Sequence, residues 1–310
     1  MSWEDLRAAL LSVRVRSSGE LEILGHSHYG VDPSEALYSA LHCRVSTAGS
    51  PDAGFTNWTG ARDFADRLSA ANGGSGTWQR GWTGHGVEAD GRIVAERHGV
   101  RFRVAPEEYR PGDGDGAAAV RIPKEHFELI PGFYLAHGDA DDTRDDGHTV
   151  RLYWHIAPAG AERLVRLATH LLNRAGIGFQ LKLVSEPLRY DRTDPAVLYL
   201  ARPDYPRAEP VLREIHREMK RWLRSTVSLL VKRMAPGVGL AEDPGDGSSF
   251  GEHRCRLLAG IVTDPAWTGS DAERDALLGA SLVAQGHALD RIYLNPGSSD
   301  DWARFEDDGR

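Results

Sequence analysis

Residues 149–185 carry the clearest alternation of apolar and polar positions in the chain. The run 149–156 is typical of a strand, Pro158 is expected to begin a helix, and apolar side chains then recur at helical spacing until Gly176. Residues 179–185 form the next expected strand. This order predicts a strand-helix-strand unit in which the helix covers one face of a sheet.

Alternation also assigns the two faces of these strands, because successive side chains point to opposite sides. The apolar positions of both strands share one side: Leu152, Trp154, Ile156, Phe179, Leu181 and Leu183. The other side carries Arg151, Tyr153, His155, Gln180 and Lys182. If the helix lies over the apolar side, His155 and Lys182 both project from the opposite face.

The remaining pattern predicts an α+β fold with a mixed β-sheet and flanking helices. The other expected helices span 3–13, 33–43, 61–71, 207–223, 249–261 and 271–285, and the fifth opens with the serine and glutamate spacing of a capping box. Further strands are expected at 92–96, 100–104, 118–122, 132–136, 196–201 and 291–294. Residues 236–244 are expected to form a turn-rich connection. We expect two parts, 1–140 and 141–310, within one compact unit.

Composition narrows the class of protein. The chain has 310 residues, of which 41% are hydrophobic and 26% charged, and its net charge is -8. The negative charge argues against general binding to duplex nucleic acid. No run is long enough for a membrane span and the first residues lack signal-peptide features, so we expect a cytoplasmic protein. Cys43 and Cys255 have no metal-ligand spacing, which favours reduced thiols over a disulfide.

Lysine is scarce in this chain. Only four of its 37 basic residues are lysines, and one of them, Lys182, lies inside an apolar run. A lysine can lose its proton when desolvated, whereas arginine stays charged, so Lys182 is a candidate base. His155 can exchange a proton near neutral pH, and Arg189 and Arg192 could hold a phosphate. A base, an acid and a phosphate grip together suit elimination of phosphate next to a carbonyl.

Ordinary structural interpretations stay open beside this hypothesis. A histidine on a strand is usually a packed residue, and arginines are usually solvated or paired with carboxylates. His26 and His28 could be metal ligands, but no third ligand accompanies them, which favours a loop. The glycine-rich run 72–76 lacks the ending of a phosphate-binding P-loop, and the acidic run 139–146 lacks the spacing of a calcium loop.

Several short segments between residues 69 and 260 resemble the HopA-type effector family. They occur in the family's order: SAANGG at 69–74 with Gly81-Trp82, RIPKE at 121–125, PGFY at 131–134, YWH at 153–155, RYDR at 189–192 with AVLY at 196–199, and LAEDP at 240–244 leading to SFGEHRC at 249–255. Each segment is short, and their joint presence and order carry the resemblance.

The resemblance implies a phosphothreonine-lyase-like catalytic part, in which a lysine removes the α-proton and a histidine protonates the leaving phosphate. Lys182 would then be the base and His155 the acid. Those lyases carry a second lysine two positions before the base, where this chain has Gln180. The expected phosphate-binding residues are Arg151, Arg192, Lys232 and Arg254. The expected substrate-binding residues are Lys124, Gln180, Tyr190 and Tyr199.

The family also includes stand-alone enzymes of class V lanthipeptide and thioamitide pathways. There a separate aminoglycoside-phosphotransferase-like kinase phosphorylates serine and threonine of a precursor peptide, and the family member eliminates the phosphate to give dehydroalanine or dehydrobutyrine. The resemblance implies the same lyase activity and the same kinase partner here, with no metal or redox cofactor. The alternative is a non-catalytic protein that binds the precursor peptide or activates the kinase.

Overall fold

A seven-stranded β-sheet forms the centre of the fold. The structure is a computed structural model, and it describes residues 3–16, 20–45, 58–97, 99–112, 117–127, 129–140 and 148–305. The strands are β1 Arg14–Val15, β2 Leu21–Ile23, β3 His26–His28, β4 Thr77–Val87, β5 Ile93–Arg97, β6 Val100–Val104, β7 Tyr109–Arg110, β8 Ala118–Ile122, β9 Glu125–Phe127, β10 Phe133–His137, β11 Thr149–Trp154, β12 Phe179–Val184, β13 Ala196–Ala201, β14 Lys232–Ala235 and β15 Val238–Glu242. The helices are α1 Trp3–Leu11, α2 Pro33–Leu37, α3 Trp58–Ala71, α4 Ala161–Arg174, α5 Tyr205–Met219, α6 Phe250–Val262 and α7 Asp271–Ala284.

The large sheet has the order β14-β15-β11-β13-β12-β10-β9, and every neighbouring pair in it is antiparallel. The expected α+β class is therefore confirmed, while the expected mixed sheet is not. β11 and β12 run parallel to each other, but β13 lies between them and pairs with both. The strand-helix-strand unit thus exists in a split form, with α4 crossing over the inserted strand.

Two apolar layers cover this sheet unequally. The first core lies under α3, α4 and α5 and takes in the apolar side of β11, β13 and β12. The second core, on the other face, joins α1, α2, α6 and α7 to Tyr153, Val197 and Ala241 of the sheet. All six residues of β11 are buried, whereas β12 alternates between buried and half-buried positions. β12, β10 and β9 contribute nothing to the second core, so one face of these strands stays partly open.

Two smaller sheets complete the fold. β1, β2 and β3 form a three-stranded sheet, and β6-β5-β4-β8-β7 forms a five-stranded sheet around a small core of its own. β9 and β10, which precede residue 141, belong to the large sheet. That sheet therefore draws on both of the parts expected from the sequence.

Several sequence-based boundaries hold and others are wrong. The Ser249 capping box opens α6 as expected, and Gly176, at φ 63°, follows the end of α4. Residues 236–244 are not only a connection, because they contain β15. The expected strand at 291–294 is wrong, since a 3₁₀ turn, Leu289–Arg291, ends at its first residue and turn residues follow. The segment 33–43 is helical, but its second half, Tyr38–Cys43, is a π-helix.

The close approach of α2 and the π-helix to α6 depends on Gly251. A Cβ at this position would lie 2.5 Å from His42 Cδ2 and 2.6 Å from Tyr38 Cε2. Both rings are held by packing in the second core, so they have little freedom to move away.

We predict that Gly251→Ala lowers the free energy of unfolding by about 1–3 kcal/mol because of this overpacking. Gly260, on the same helix, has open space at its Cβ position, so Gly260→Ala should raise that free energy by about 0.5–1 kcal/mol. Urea unfolding of both variants checks this pair. Equal effects of the two substitutions would contradict the close approach.

Candidate functional site

Lys182 and His155 lie on the same face of the large sheet, as the alternation predicted. Lys182 pairs across with Val197, and Val197 pairs with Tyr153, two residues before His155. The Lys182 and His155 Cα atoms are thus separated by about 10 Å across the sheet and about 7 Å along it. His155 directly follows the last residue of β11, and Lys182 is the fourth of the six residues of the parallel strand β12.

The Lys182 side chain lies on the partly open face. Its Nζ is 4.5 Å from the centroid of the Phe133 ring, and the side chain is half-buried. Among the described residues it makes no hydrogen bond or ion pair. Its half-buried neighbours on this face are Gln180, Tyr199, Phe133, His126 and His137, and we call these five residues with Lys182 the open strip.

The His155 imidazole is buried, with 5% of the residue exposed. Its Nδ1 lies 2.9 Å from the Thr226 carbonyl oxygen and 3.0 Å from the Thr226 hydroxyl. The carbonyl can only accept, so Nδ1 donates and the neutral ring carries its lone pair on Nε2. Nε2 is buried and has no hydrogen-bond partner among the described residues. A buried nitrogen of this kind costs stability unless a ligand pairs with it.

Two arginines that the sequence did not single out flank His155. The Arg224 backbone N–H donates to the His155 carbonyl oxygen at 2.8 Å, and its exposed guanidinium donates to the Tyr190 carbonyl oxygen. Arg44 donates to the Val227 carbonyl oxygen, next to the residue that holds His155. The pKa of His155 is lowered, first by burial and then by the charges of Arg224 and Arg44, against the opposing effect of the Thr226 hydrogen bond.

Arg192, expected to bind phosphate, is instead engaged inside the protein. It is 4% exposed and makes two hydrogen bonds to the Asp194 carboxylate, at 2.6 and 2.9 Å. The same Nη2 that contacts Asp194 also lies within hydrogen-bond distance of the Tyr38 hydroxyl and Cys43 Sγ. Burial of Asp194 opposes its ionisation, but the Arg192 charge and hydrogen bonds from Arg192 and His42 hold the pKa of this carboxyl well below its usual value. Arg192 therefore anchors the π-helix beneath the candidate site.

The other three expected phosphate ligands are also paired or placed elsewhere. Arg151 lies on the correct face but binds Asp243 at 2.5 Å and the Ser248 carbonyl oxygen. Lys232 pairs with Leu240, a first-core residue, so it projects from the opposite face, where it binds Asp300 at 2.6 Å. Arg254 is 1% exposed and holds the carbonyl oxygens of Ile292 and Leu294. The structure does not bring these residues together with Lys182.

The expected substrate-binding residues divide into two groups. Gln180 and Tyr199 belong to the open strip, on the same face of the sheet as Lys182. Lys124 instead donates to the carbonyl oxygens of Ser69 and Asn72 at the end of α3. Tyr190 is buried and donates to the Val184 carbonyl oxygen, so both of these side chains are structural.

The sequence reasoning also missed a histidine pair. His126 Nδ1 and His137 Nε2 are 2.8 Å apart, on the same face as Lys182 and Gln180. Burial lowers the pKa of His126. Alternation along β9 and β10 could have placed each histidine on this face, but only the pairing of the two strands shows that they meet.

The glycine-rich loop is held by internal contacts, whereas His26 and His28 lie on strand β3 and not in the expected loop. The glycine-rich loop gives its Ser75 and Gly76 N–H groups to the Asp139 carboxylate, at 2.6 and 2.9 Å. Residues 141–147, most of the acidic run, lie outside the described residues. Within the described ranges, no group of three or more histidine, cysteine or acidic side chains is placed to hold a metal ion. Both cysteines are free and buried. None of the helices described is long and apolar enough to cross a membrane.

Comparisons with known proteins identify the family. The HopA1 effector protein family matches residues 125–294. The structure of the effector protein from Pseudomonas syringae pv. tomato strain DC3000 superposes with a TM-score of 0.52 at 17% identity, over 94% of this chain and 95% of that one. That from P. syringae pv. syringae strain 61 gives a TM-score of 0.48 at 15% identity, over 86% and 91%.

No curated protein matches the sequence. The family match covers more than half of the chain, and the superposition on the DC3000 protein agrees with it in fold. The family match spans β9 to the segment after α7, and so it includes the whole large sheet with both Lys182 and His155. This chain belongs to the HopA1 effector protein family.

Proposed function

We propose that the protein is a phosphoserine/phosphothreonine lyase that acts on a phosphorylated precursor peptide in lanthipeptide-type maturation. The observation that carries this proposal is Nε2 of His155, which has no partner among the described residues and lies beside two arginines on the same face as Lys182. A phosphate oxygen supplies the missing partner for Nε2 and an anion for the Arg224 guanidinium. The Lys182 amine lies on the open strip, beside the half-buried Gln180 and Tyr199.

The reaction requires one base and one acid. Lys182 Nζ, in its neutral form, takes the proton from Cα of the phosphoserine. The electron pair of that bond forms the Cα=Cβ double bond, and the Cβ–O bond breaks. His155, protonated on Nε2, gives its proton to the departing phosphate oxygen. The products are dehydroalanine and inorganic phosphate, and the protein is left with a Lys182 ammonium and a neutral His155, which exchange protons with water.

Substrate binding would prepare His155 as the acid. In the empty site its lowered pKa keeps the imidazole neutral at neutral pH. A phosphate dianion beside Nε2 offsets the charges of Arg224 and Arg44 and favours the protonated ring. The Lys182 side chain must move away from the Phe133 ring to reach Cα of the substrate phosphoserine, which the flexible lysine side chain allows.

The phosphate grip proposed here differs from that implied by the family resemblance. Arg224 is exposed, its backbone N–H donates to the His155 carbonyl oxygen, and it makes no ion pair with a described residue. Arg192, in contrast, forms a buried ion pair with Asp194. Arg224 therefore replaces Arg151, Arg192, Lys232 and Arg254 as the proposed phosphate ligand. A separate kinase that supplies the phosphorylated peptide remains the proposed partner.

We predict that Lys182→Ala abolishes elimination, with a loss of at least about a hundredfold in kcat, because the base is removed. The measurement follows peptide mass and free phosphate during incubation with a synthetic phosphoserine peptide. Lys232→Ala is the matched control, since Lys232 projects from the other face of the sheet, and it should keep activity within about twofold. Normal turnover by Lys182→Ala would refute the lyase mechanism and favour a non-catalytic peptide-binding protein.

We also predict that Arg224→Gln raises the pKa of His155, because a cation that disfavours the imidazolium is removed. A pH titration of the His155 ring signals by NMR gives this value. Arg174→Gln, at the far end of α4, should leave it unchanged. An unchanged or lower His155 pKa in Arg224→Gln would show that the guanidinium does not act on the ring.

A further inference from the structure

A row of exposed cations runs from the end of α5 to the candidate site. Arg217, Lys220, Arg221 and Arg224 are all exposed, and none makes an ion pair with a described residue. We call these four residues the cationic ridge. Its last member is the same Arg224 whose backbone is bonded to His155.

The ridge differs from the rest of α5 and α4. On these helices Arg163 pairs with Glu218 at 2.6 Å, Arg207 with Asp204 at 3.3 Å, and Arg213 with Glu209 at 2.8 Å. The exposed carboxylate nearest in sequence to the ridge, Glu218, directly follows Arg217 but pairs with Arg163 of α4. Glu214, one turn before Arg217, is not within ion-pair distance of a ridge residue. The carboxylates of α5 that form ion pairs thus pair with arginines outside the ridge, and the four ridge cations have no ion pair among the described residues.

Helix geometry explains only part of this arrangement. Cations at a helix C-terminus interact favourably with the helix dipole, which applies to Arg217 and Lys220. Arg221 and Arg224 lie beyond the last turn of α5, and four neighbouring like charges repel one another. This repulsion is relieved when an anionic partner binds.

The ridge is held firmly beside the carboxyl end of β11. The Trp222 carbonyl oxygen accepts from the Ala157 N–H at 2.8 Å, and Leu223 forms a β-bridge with Ile156. The Trp222 side chain packs on Gly160, where a Cβ would meet it at 2.6 Å. The Arg221 guanidinium lies 3.9 Å from the Trp222 ring centroid, which orders its charge.

We propose that the cationic ridge binds an acidic segment of the substrate peptide, so that the enzyme prefers phosphoserine with aspartate or glutamate nearby in the sequence. This inference rests on the proposed function and specifies its substrate class. The chain as a whole carries a charge of -8, so an acidic peptide is repelled elsewhere and attracted where the ridge leads to His155.

The test compares two synthetic phosphoserine peptides of equal length, one with aspartates flanking the phosphoserine and one with asparagines in their place. We expect the wild-type protein to have the higher kcat/KM for the aspartate peptide, mainly through KM, and this preference should fade as salt is raised. The double variant Arg217→Gln/Arg221→Gln should lose about threefold to tenfold in kcat/KM on the aspartate peptide and change little on the asparagine peptide.

A matched control removes two arginines at the opposite end of these helices. Arg207 donates to the Ala175 carbonyl oxygen, which places it near Arg174 at the end of α4. The double variant Arg174→Gln/Arg207→Gln therefore removes two positive charges, as the ridge variant does, but far from His155. This control should keep the preference. Equal turnover of both peptides by the wild type, or an equal loss on both peptides in the ridge variant, would overturn the proposal.

Binding separates this proposal from the lyase proposal. Fluorescence anisotropy with labelled peptides and the Lys182→Ala protein measures affinity without turnover. Tighter binding of the aspartate peptide that depends on Arg217 and Arg221 supports the ridge even if the wild type eliminates nothing. An oligonucleotide of equal charge that displaces the aspartate peptide more effectively than unlabelled aspartate peptide would overturn the assignment to an acidic peptide.

Discussion

The unequal covering of the large sheet is the constraint on which the rest of the structure depends. At β11 both faces are buried, so every side chain of that strand must fit into one of two apolar cores. At β12 the second core has ended, and alternate positions can be polar and partly exposed. A polar site can form where the part of the sheet that is covered on both faces meets the part that is covered on one face. His155 stands at the end of the covered strand and Lys182 on the first uncovered one.

Several buried arginine side chains in this protein cross-link segments that are distant along the chain. The arginine guanidinium remains charged when buried and can bond several acceptors at once, which suits a cross-link between distant segments. Arg192 ties the π-helix to Asp194, Arg151 ties β11 to Asp243, and Arg254 ties α6 to the Ile292 and Leu294 carbonyl oxygens. These contacts occupy the arginines that a resemblance-based argument assigns to phosphate. Arg224, which lies at the surface near His155, makes no ion pair with a described residue.

Local periodicity could be read from the sequence, and tertiary pairing could not. The 3.6-residue and two-residue periods placed α4 over the apolar side of β11 and β12 and put Lys182 and His155 on one face. They could not reveal that β13 separates the two strands, because alternation fixes a face and not a neighbour. β15 was missed because Pro236 and Gly237 form its turn and the strand itself carries Gly239. The Asp243 partner of Arg151 lies 92 residues away along the chain, and the carbonyl oxygens that Arg254 binds lie 38 and 40 residues away, beyond any local pattern.

The most direct test of the central claim is whether Nε2 of His155 receives a phosphate. Titration of inorganic phosphate into protein labelled with ¹⁵N at histidine, followed by NMR at neutral pH, reports each ring nitrogen. The account predicts that the His155 Nε2 signal moves from the position of an unprotonated nitrogen towards that of a protonated one, while the Nδ1 signal stays protonated. A His155 ring that does not respond, with saturation at another histidine such as His287, would contradict it.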